Sequence, residues 1–235
     1  MFNPHARVTV VPVTPTQACH VVDDALLDPD RMVEFAAAHA HAFVEAPHNA
    51  FPGPELPMPD AATTRLDAFL AAHVHAPSGI RRALRGTSRL AMVARAPQEL
   101  APLQWLCHVD RLETAPGQRL LASVLYLFAD ASLGGTSFYR PIRPREDVLR
   151  LLADAATRPR DEVRRVHGLE PGYMGAGNAW FERVLTVPAR FNRLIAYDGG
   201  LFHSGHIPDP ARLSADPRRG RLTWNGFFVC ERIAG

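Results

Sequence analysis

The stretch Trp105-Leu106-Cys107-His108-Val109-Asp110 sets an imidazole and a carboxylate two residues apart, at the end of an apolar run that begins at Leu103. Residues i and i+2 of a strand point to one face, so an extended Leu103–Val109 would present His108 and Asp110 side by side. Runs of the same texture flank it: Arg89–Arg95 before, Leu120–Phe128 and Thr136–Tyr139 after, each bounded by Pro or Gly. Strands resume at Trp180–Val187, Phe191–Tyr197 and Leu222–Val229, and Pro144–Ala156 interrupts them with Val148, Leu149, Leu151 and Leu152 at helical spacing.

The N-terminal part reads differently. Val8–Val13 has β-branched character, and Asp28-Pro29 opens a capped helix that runs to about Ala42. Pro47 to Pro59 holds five prolines in thirteen residues, too many for a helix or a paired strand, and is expected to be a loop. Asp60 caps a second helix with Leu66, Phe69 and Leu70 on one face, ending near His75. Helices first and strands afterwards predict a mainly β fold, an antiparallel sandwich or barrel with a helical buttress on one face. The expected organisation is one domain over 1–235, with an N-terminal helical and loop region (1–86) packed on a β core (87–235) that carries a helical insertion near 144–157.

Composition narrows the function. Net charge is +2, and the basic residues form no run interleaved with aromatics, so nucleic acid is not an expected partner. All 26 basic residues are Arg; without Lys there is no Walker A loop, no Schiff-base nucleophile and no pyridoxal chemistry. Cys19, Cys107 and Cys230 are far apart and lack a C-x-x-C pairing, which predicts three buried thiols and neither a zinc knuckle nor a disulfide framework. The longest apolar run, Leu120–Ala129, is about half a membrane span. A cytoplasmic protein with no membrane partner is the expectation; the sequence says nothing of its oligomeric state.

Two neutral imidazoles and one carboxylate can hold Fe(II) on one face of an octahedron and leave three positions open. His108 and Asp110 could supply two of these ligands. Alone the pair is weak, because about one H-x-D match is expected by chance among eleven histidines.

The order of later segments adds the missing context. Ala122-Ser123-Val124-Leu125-Tyr126-Leu127-Phe128, Gly134-Gly135-Thr136-Ser137-Phe138-Tyr139, Asn192 to Tyr197 leading into Leu201-Phe202-His203, and Gly220-Arg221-Leu222-Thr223-Trp224-Asn225 follow His108-x-Asp110 in turn. In that order they resemble the prolyl-hydroxylase-like branch of the 2-oxoglutarate/iron(II) oxygenase superfamily, over about residues 103 to 230. Phe128 stands where that family has Asn, and the gap from His203 to Arg221 is longer than usual, which predicts an inserted loop over Asp209–Arg219.

The resemblance implies a double-stranded β-helix (jelly-roll, cupin-like) core. It implies Fe(II) as metal, His108, Asp110 and His203 as its catalytic ligands, and 2-oxoglutarate and O2 as cosubstrates. Arg221 would bind the far carboxylate of 2-oxoglutarate through its planar fork. Arg219 has the same parity; Arg221 is preferred because it directly precedes the strand and shares a face with Thr223 and Asn225. Tyr126 would donate a phenolic hydrogen bond to that carboxylate, or be a core aromatic. The implied reaction is hydroxylation of an unactivated C–H in an amino-acid, peptidyl or small-metabolite substrate. The alternatives are a cupin-type iron dioxygenase that does not use 2-oxoglutarate, and an inactive ligand-binding relative.

Several residues compete for roles. His206 is the rival of His203. The pairs His39/His41 and His73/His75 are expected at the surface, since i,i+2 residues of a helix do not face one another. His48 and Asn49 could line a substrate entrance. Trp180, Phe181 and Phe138 are candidate pocket walls, and Arg140 and Arg143 could receive an acidic group of the substrate or lie on a solvated rim.

Overall fold

A computed structural model describes residues 2–45 and 51–233. Ten strands form two antiparallel sheets. The strands are β1 (Arg7–Pro12), β2 (Ala18–Asp23), β3 (Glu55–Pro57), β4 (Ile80–Val93), β5 (Gln118–Tyr126), β6 (Gly135–Pro141), β7 (Phe181–Pro188), β8 (Leu194–Asp198), β9 (Phe202–His206) and β10 (Arg221–Arg232). The large sheet has the order β1-β2-β8-β5-β10-β4-β3 and the small one β7-β6-β9. The two sheets face each other as a double-stranded β-helix.

Alternation along β10 shows how the large sheet serves two environments. Leu222, Trp224, Phe228 and Cys230 join the core under the N-terminal helices, while Arg221, Thr223, Asn225 and Phe227 line the cavity between the sheets. Among the described residues, four α-helices complete the fold: α1 (Asp30–Ala38), α2 (Asp60–Leu70), α3 (Arg145–Thr157) and α4 (Arg160–His167). Leu66, Phe69 and Leu70 of α2, with Val74 beyond it, pack on the outer face of the large sheet. Each such side chain contributes roughly 1.5–3 kcal/mol by leaving water. Gly226 permits this approach, because a Cβ there would lie 2.7 Å from a Leu66 methyl group. Val148, Leu151, Ala155 and Val163 of α3 and α4 enclose Trp105, Leu106 and Phe181 at the small sheet.

Several sequence expectations need correction. The N-terminal 86 residues are not a helical layer on a finished β core: β1, β2, β3 and the first half of β4 belong to the large sheet. The proline-rich segment pairs after all, since Glu55–Pro57 is an edge strand, where Pro57 needs no partner for a missing N–H. Pro59, not Asp60, takes the N-cap position of α2, and Asp60 lies in its first turn. Pro29 takes the N-cap position of α1, and the Asp28 carboxylate before it accepts from the Arg31 N–H at 3.1 Å. Leu103–Val109 is not a full strand. Pro102–Trp105 forms a 3-10 turn, closed by the Gln104 side chain accepting from the Ala101 N–H at 2.7 Å, and only His108 bridges to the small sheet. His75 is buried beside Asp67 and His73 is half-buried against the Phe69 ring, whereas His39 and His41 are exposed as expected. Helix α4 had no sequence-based counterpart.

Candidate metal centre

His108 and His203 exchange backbone hydrogen bonds, His108 N–H to the His203 carbonyl at 2.9 Å and the reverse at 2.8 Å. This two-residue ladder carries the extended end of the Trp105–Asp110 segment onto β9. The Asp110 N–H then donates to the Gly199 carbonyl at 2.8 Å, which turns its carboxylate back towards both histidines. Nε2 of His108 lies 3.7 Å from Asp110 Oδ1, and Nε2 of His203 lies 3.6 Å from Oδ2. One ligand atom from each of the three residues falls within 4.8 Å of the others, the only such cluster of three among the described residues. His206 lies outside it.

The protonation states suit a metal. His203 Nδ1 is 2.9 Å from the Leu201 carbonyl, which can only accept, so Nδ1 carries the proton and Nε2 keeps its lone pair. Tyr197 stacks edge-on against the same ring at 4.8 Å and holds its plane. Burial pushes His203 down to about 4, and burial together with His203 pushes His108 down to about 4. The His108 side chain is still 54% accessible, because it faces the cavity. Burial pushes Asp110 up to about 6, against the pull of His108 and Arg89. Its Oδ2 is buried and, among the described residues, accepts no hydrogen bond. An orphaned carboxylate oxygen between two neutral imidazoles is a site that a divalent cation completes, and the two-histidine, one-carboxylate set is one that Fe(II) accepts.

The cluster opens into a cavity of about 670 Å³ between the sheets, a size that suits a cosubstrate and a small substrate together. Arg221 reaches it from the other end. It is 4% exposed, donates from Nε to the Leu133 carbonyl at 3.1 Å and from Nη2 to the Gly135 carbonyl at 2.6 Å. Its guanidinium lies near the rings of Tyr126 and Phe128, at 6.0 and 5.6 Å from their centroids. Among the described residues it has no carboxylate partner. Arg219 is exposed on the turn before β10 and does not line the cavity.

Tyr126 is fully buried and does not line the cavity; its hydroxyl donates to Thr136 Oγ1 at 2.8 Å, and Thr136 does line it. Phe138 and Phe181 are core residues, and Trp180 packs against the α3–α4 cluster. Arg140 pairs with Glu182, and Arg143 donates to the Ala179 carbonyl at 3.0 Å, both away from the cavity. His48 and Asn49 lie outside the described residues. Sequence reasoning missed Arg89 and Glu55, which form an ion pair of 2.6 Å in the cavity wall. The signal was a lone Arg inside the apolar strand run Ser88–Val93.

Fold and site together define the class: a double-stranded β-helix protein with a two-histidine, one-carboxylate cluster inside the barrel. The chain belongs to the family described as a family of unknown function, DUF6445, whose characteristic pattern matches residues 4–228. No curated protein matches it. Among solved structures it is similar to HygX from Streptomyces hygroscopicus with nickel and 2-oxoglutarate bound, at 13% identity and a TM-score of 0.50, over 91% of this chain and 83% of HygX. It is also similar to a Pseudomonas putida prolyl-4-hydroxylase, at 14% identity and a TM-score of 0.42, over 94% of this chain and 95% of that one. The HygX likeness covers most of the chain and supports the double-stranded β-helix fold.

Proposed function

We propose that this protein is an Fe(II)- and 2-oxoglutarate-dependent oxygenase that hydroxylates an unactivated C–H bond of an amino-acid, peptidyl or small-metabolite substrate. The observation that carries this reading is the joint presence, in one cavity, of a three-residue cluster with an orphaned carboxylate oxygen and a buried arginine without an anion. A dicarboxylate that bridges a divalent cation and a distant guanidinium satisfies both at once. A cupin-type dioxygenase without 2-oxoglutarate would leave the buried Arg221 without a purpose.

In this reading His108, Asp110 and His203 hold Fe(II), and bound Fe(II) with 2-oxoglutarate supplies the oxidising power for hydroxylation by O2, releasing succinate and CO2. Arg221 anchors the far carboxylate, and its two backbone acceptors fix the direction of its fork. Thr136 accepts from Tyr126, which leaves its own hydroxyl hydrogen free to donate into the cavity. Tyr126 is thus a positioning residue for Thr136, at one remove from the direct contact expected from sequence. The apolar walls, Val93, Leu106 and Ile207 among them, exclude water around the cluster.

Arg221→Met should weaken anaerobic 2-oxoglutarate binding by about 1.5–3 kcal/mol or more, the range for hydrogen bonds to charged groups. The metal stoichiometry should stay unchanged. Unaltered 2-oxoglutarate affinity in this variant would remove Arg221 from the site.

A further inference from the structure

Glu55, Arg89 and Asn225 form a polar patch in the cavity wall that the metal and the cosubstrate leave unused. Arg89 and Asn225 are direct neighbours across β4 and β10, and both point inward. Along the inner face of β10, Asn225 lies four residues from Arg221, roughly 13 Å of strand. That is further than a five-carbon diacid anchored on Arg221 extends, so the patch belongs to whatever else the cavity binds.

Arg89 is held but not used up. Glu55 engages its Nε at 2.6 Å, and the Phe227 ring lies 4.6 Å from its guanidinium carbon. Its Nη atoms make no hydrogen bond among the described residues, and the side chain is 28% exposed, with Arg89 lining the cavity. A guanidinium fixed along one edge and one face keeps its remaining N–H groups aimed at a ligand. Next to it Asn225 is 6% exposed, and its Oδ1 is buried without a partner among the described residues. An amide left unsatisfied in a protein wall is costly unless a ligand completes it.

Charge specifies the ligand further. The cavity wall carries three arginines (Arg89, Arg111, Arg221) against two carboxylates (Glu55, Asp110). A divalent metal and a dianionic oxoacid cancel each other, and the remaining positive charge is that of Arg111 at the exposed rim, which favours an acidic ligand over a basic one. Arg140 and Arg143, the arginines that sequence suggested for an acidic substrate, lie outside the cavity.

We propose that Arg89, set by Glu55 and assisted by the Asn225 amide, is the recognition site for a carboxylate of the substrate, so that the oxidised molecule is a carboxylic acid. This rests on the oxygenase reading above. The Asn225 amide accepts or donates according to which way round it is turned, and the carboxylate fixes it as donor.

The test uses the full-length protein loaded with Zn(II) and saturated with 2-oxoglutarate, with ligand-observed NMR of hexanoate and 3-phenylpropanoate against hexanamide and 3-phenylpropanamide. The acids should bind about tenfold or more tightly than their amides, the ratio that one charge-assisted contact supplies. Arg89→Met/Glu55→Gln, which leaves no buried unpaired charge, should lose that preference and keep 2-oxoglutarate. Glu55→Gln alone should keep or strengthen acid binding, because Arg89 then loses its competing carboxylate. No acid binding, equal binding of acids and amides, an unchanged preference in the double variant, or displacement of the acids by excess 2-oxoglutarate would each overturn the proposal. Failure of the Zn(II) protein to bind 2-oxoglutarate would instead count against the oxygenase reading, and the acid–amide comparison in the parent and double variant would still decide for or against Arg89.

Discussion

Single residues decide the chemistry, and the choice between two histidines is the sharpest case. His203 and His206 both lie on β9, yet only His203 meets His108 and Asp110. Removing one of three ligands leaves too few donors to hold a labile divalent ion. His203→Ala should therefore abolish stoichiometric binding of Fe(II) or Mn(II) in equilibrium dialysis, and His206→Ala should leave it intact; the reverse outcome would reassign the ligand. The meeting of His108, Asp110 and His203 was legible only through the order of the later segments, since H-x-D alone is a weak signal. Arg89 was not, since nothing in one strand announces that a second strand will set Asn225 beside it. Tyr126 shows the opposite error: its position on β5 was legible, but the hydrogen bond to Thr136 depends on β6, a partner that a local reading cannot see.

At the scale of elements, short strand-like runs between Pro and Gly marked β5, β6, β7, β8 and β10, but only the last third of β4, whose nine residues Ile80–Ser88 had no counterpart in the sequence reading. It missed β2, Ala18–Asp23. It failed too at β3, where three residues between prolines are paired only as an edge. The π-helical turn Ala71–His75 that continues α2 brings His75 inward, which the regular helical spacing did not anticipate. The contact between α2 and β10 can be tested at its tightest point. Gly226→Ala would place a methyl within 2.7 Å of Leu66 and Ser123 side-chain atoms and 2.8 Å of Phe228. We expect a loss of about 1–3 kcal/mol in denaturant unfolding, with metal stoichiometry unchanged. A neutral outcome would mean that α2 does not bear on the sheet as closely as described.

For the whole molecule, acid stability follows from its buried histidines. Burial holds His20 and His75 below their ordinary value of 6.5 in the folded protein. As the pH drops below 6.5 the unfolded chain takes up protons that the folded one refuses, so stability falls with pH, by up to about 1.4 kcal/mol per pH unit for each histidine. Burial raises Asp67 above 3.8, so the folded state gains a proton there at lower pH and the loss is partly offset. His108 and His203 add to the slope in metal-free protein. His75→Gln should flatten the stability profile of the metal-free protein between about pH 6.5 and 5, measured by urea unfolding; an unchanged slope would mean that His75 titrates normally.

The barrel brings the Trp105–Asp110 segment, β9 and β10 to one cavity from positions about a hundred residues apart, and the central claim is that this cavity binds Fe(II) and 2-oxoglutarate as one unit. The most direct measurement is anaerobic titration of Fe(II)-loaded protein with 2-oxoglutarate, followed by visible absorption. A charge-transfer band that saturates at one 2-oxoglutarate per chain and is absent in His203→Ala is expected. A protein that binds Fe(II) but develops no such band at saturating 2-oxoglutarate, or one that develops it equally without His203, would contradict it.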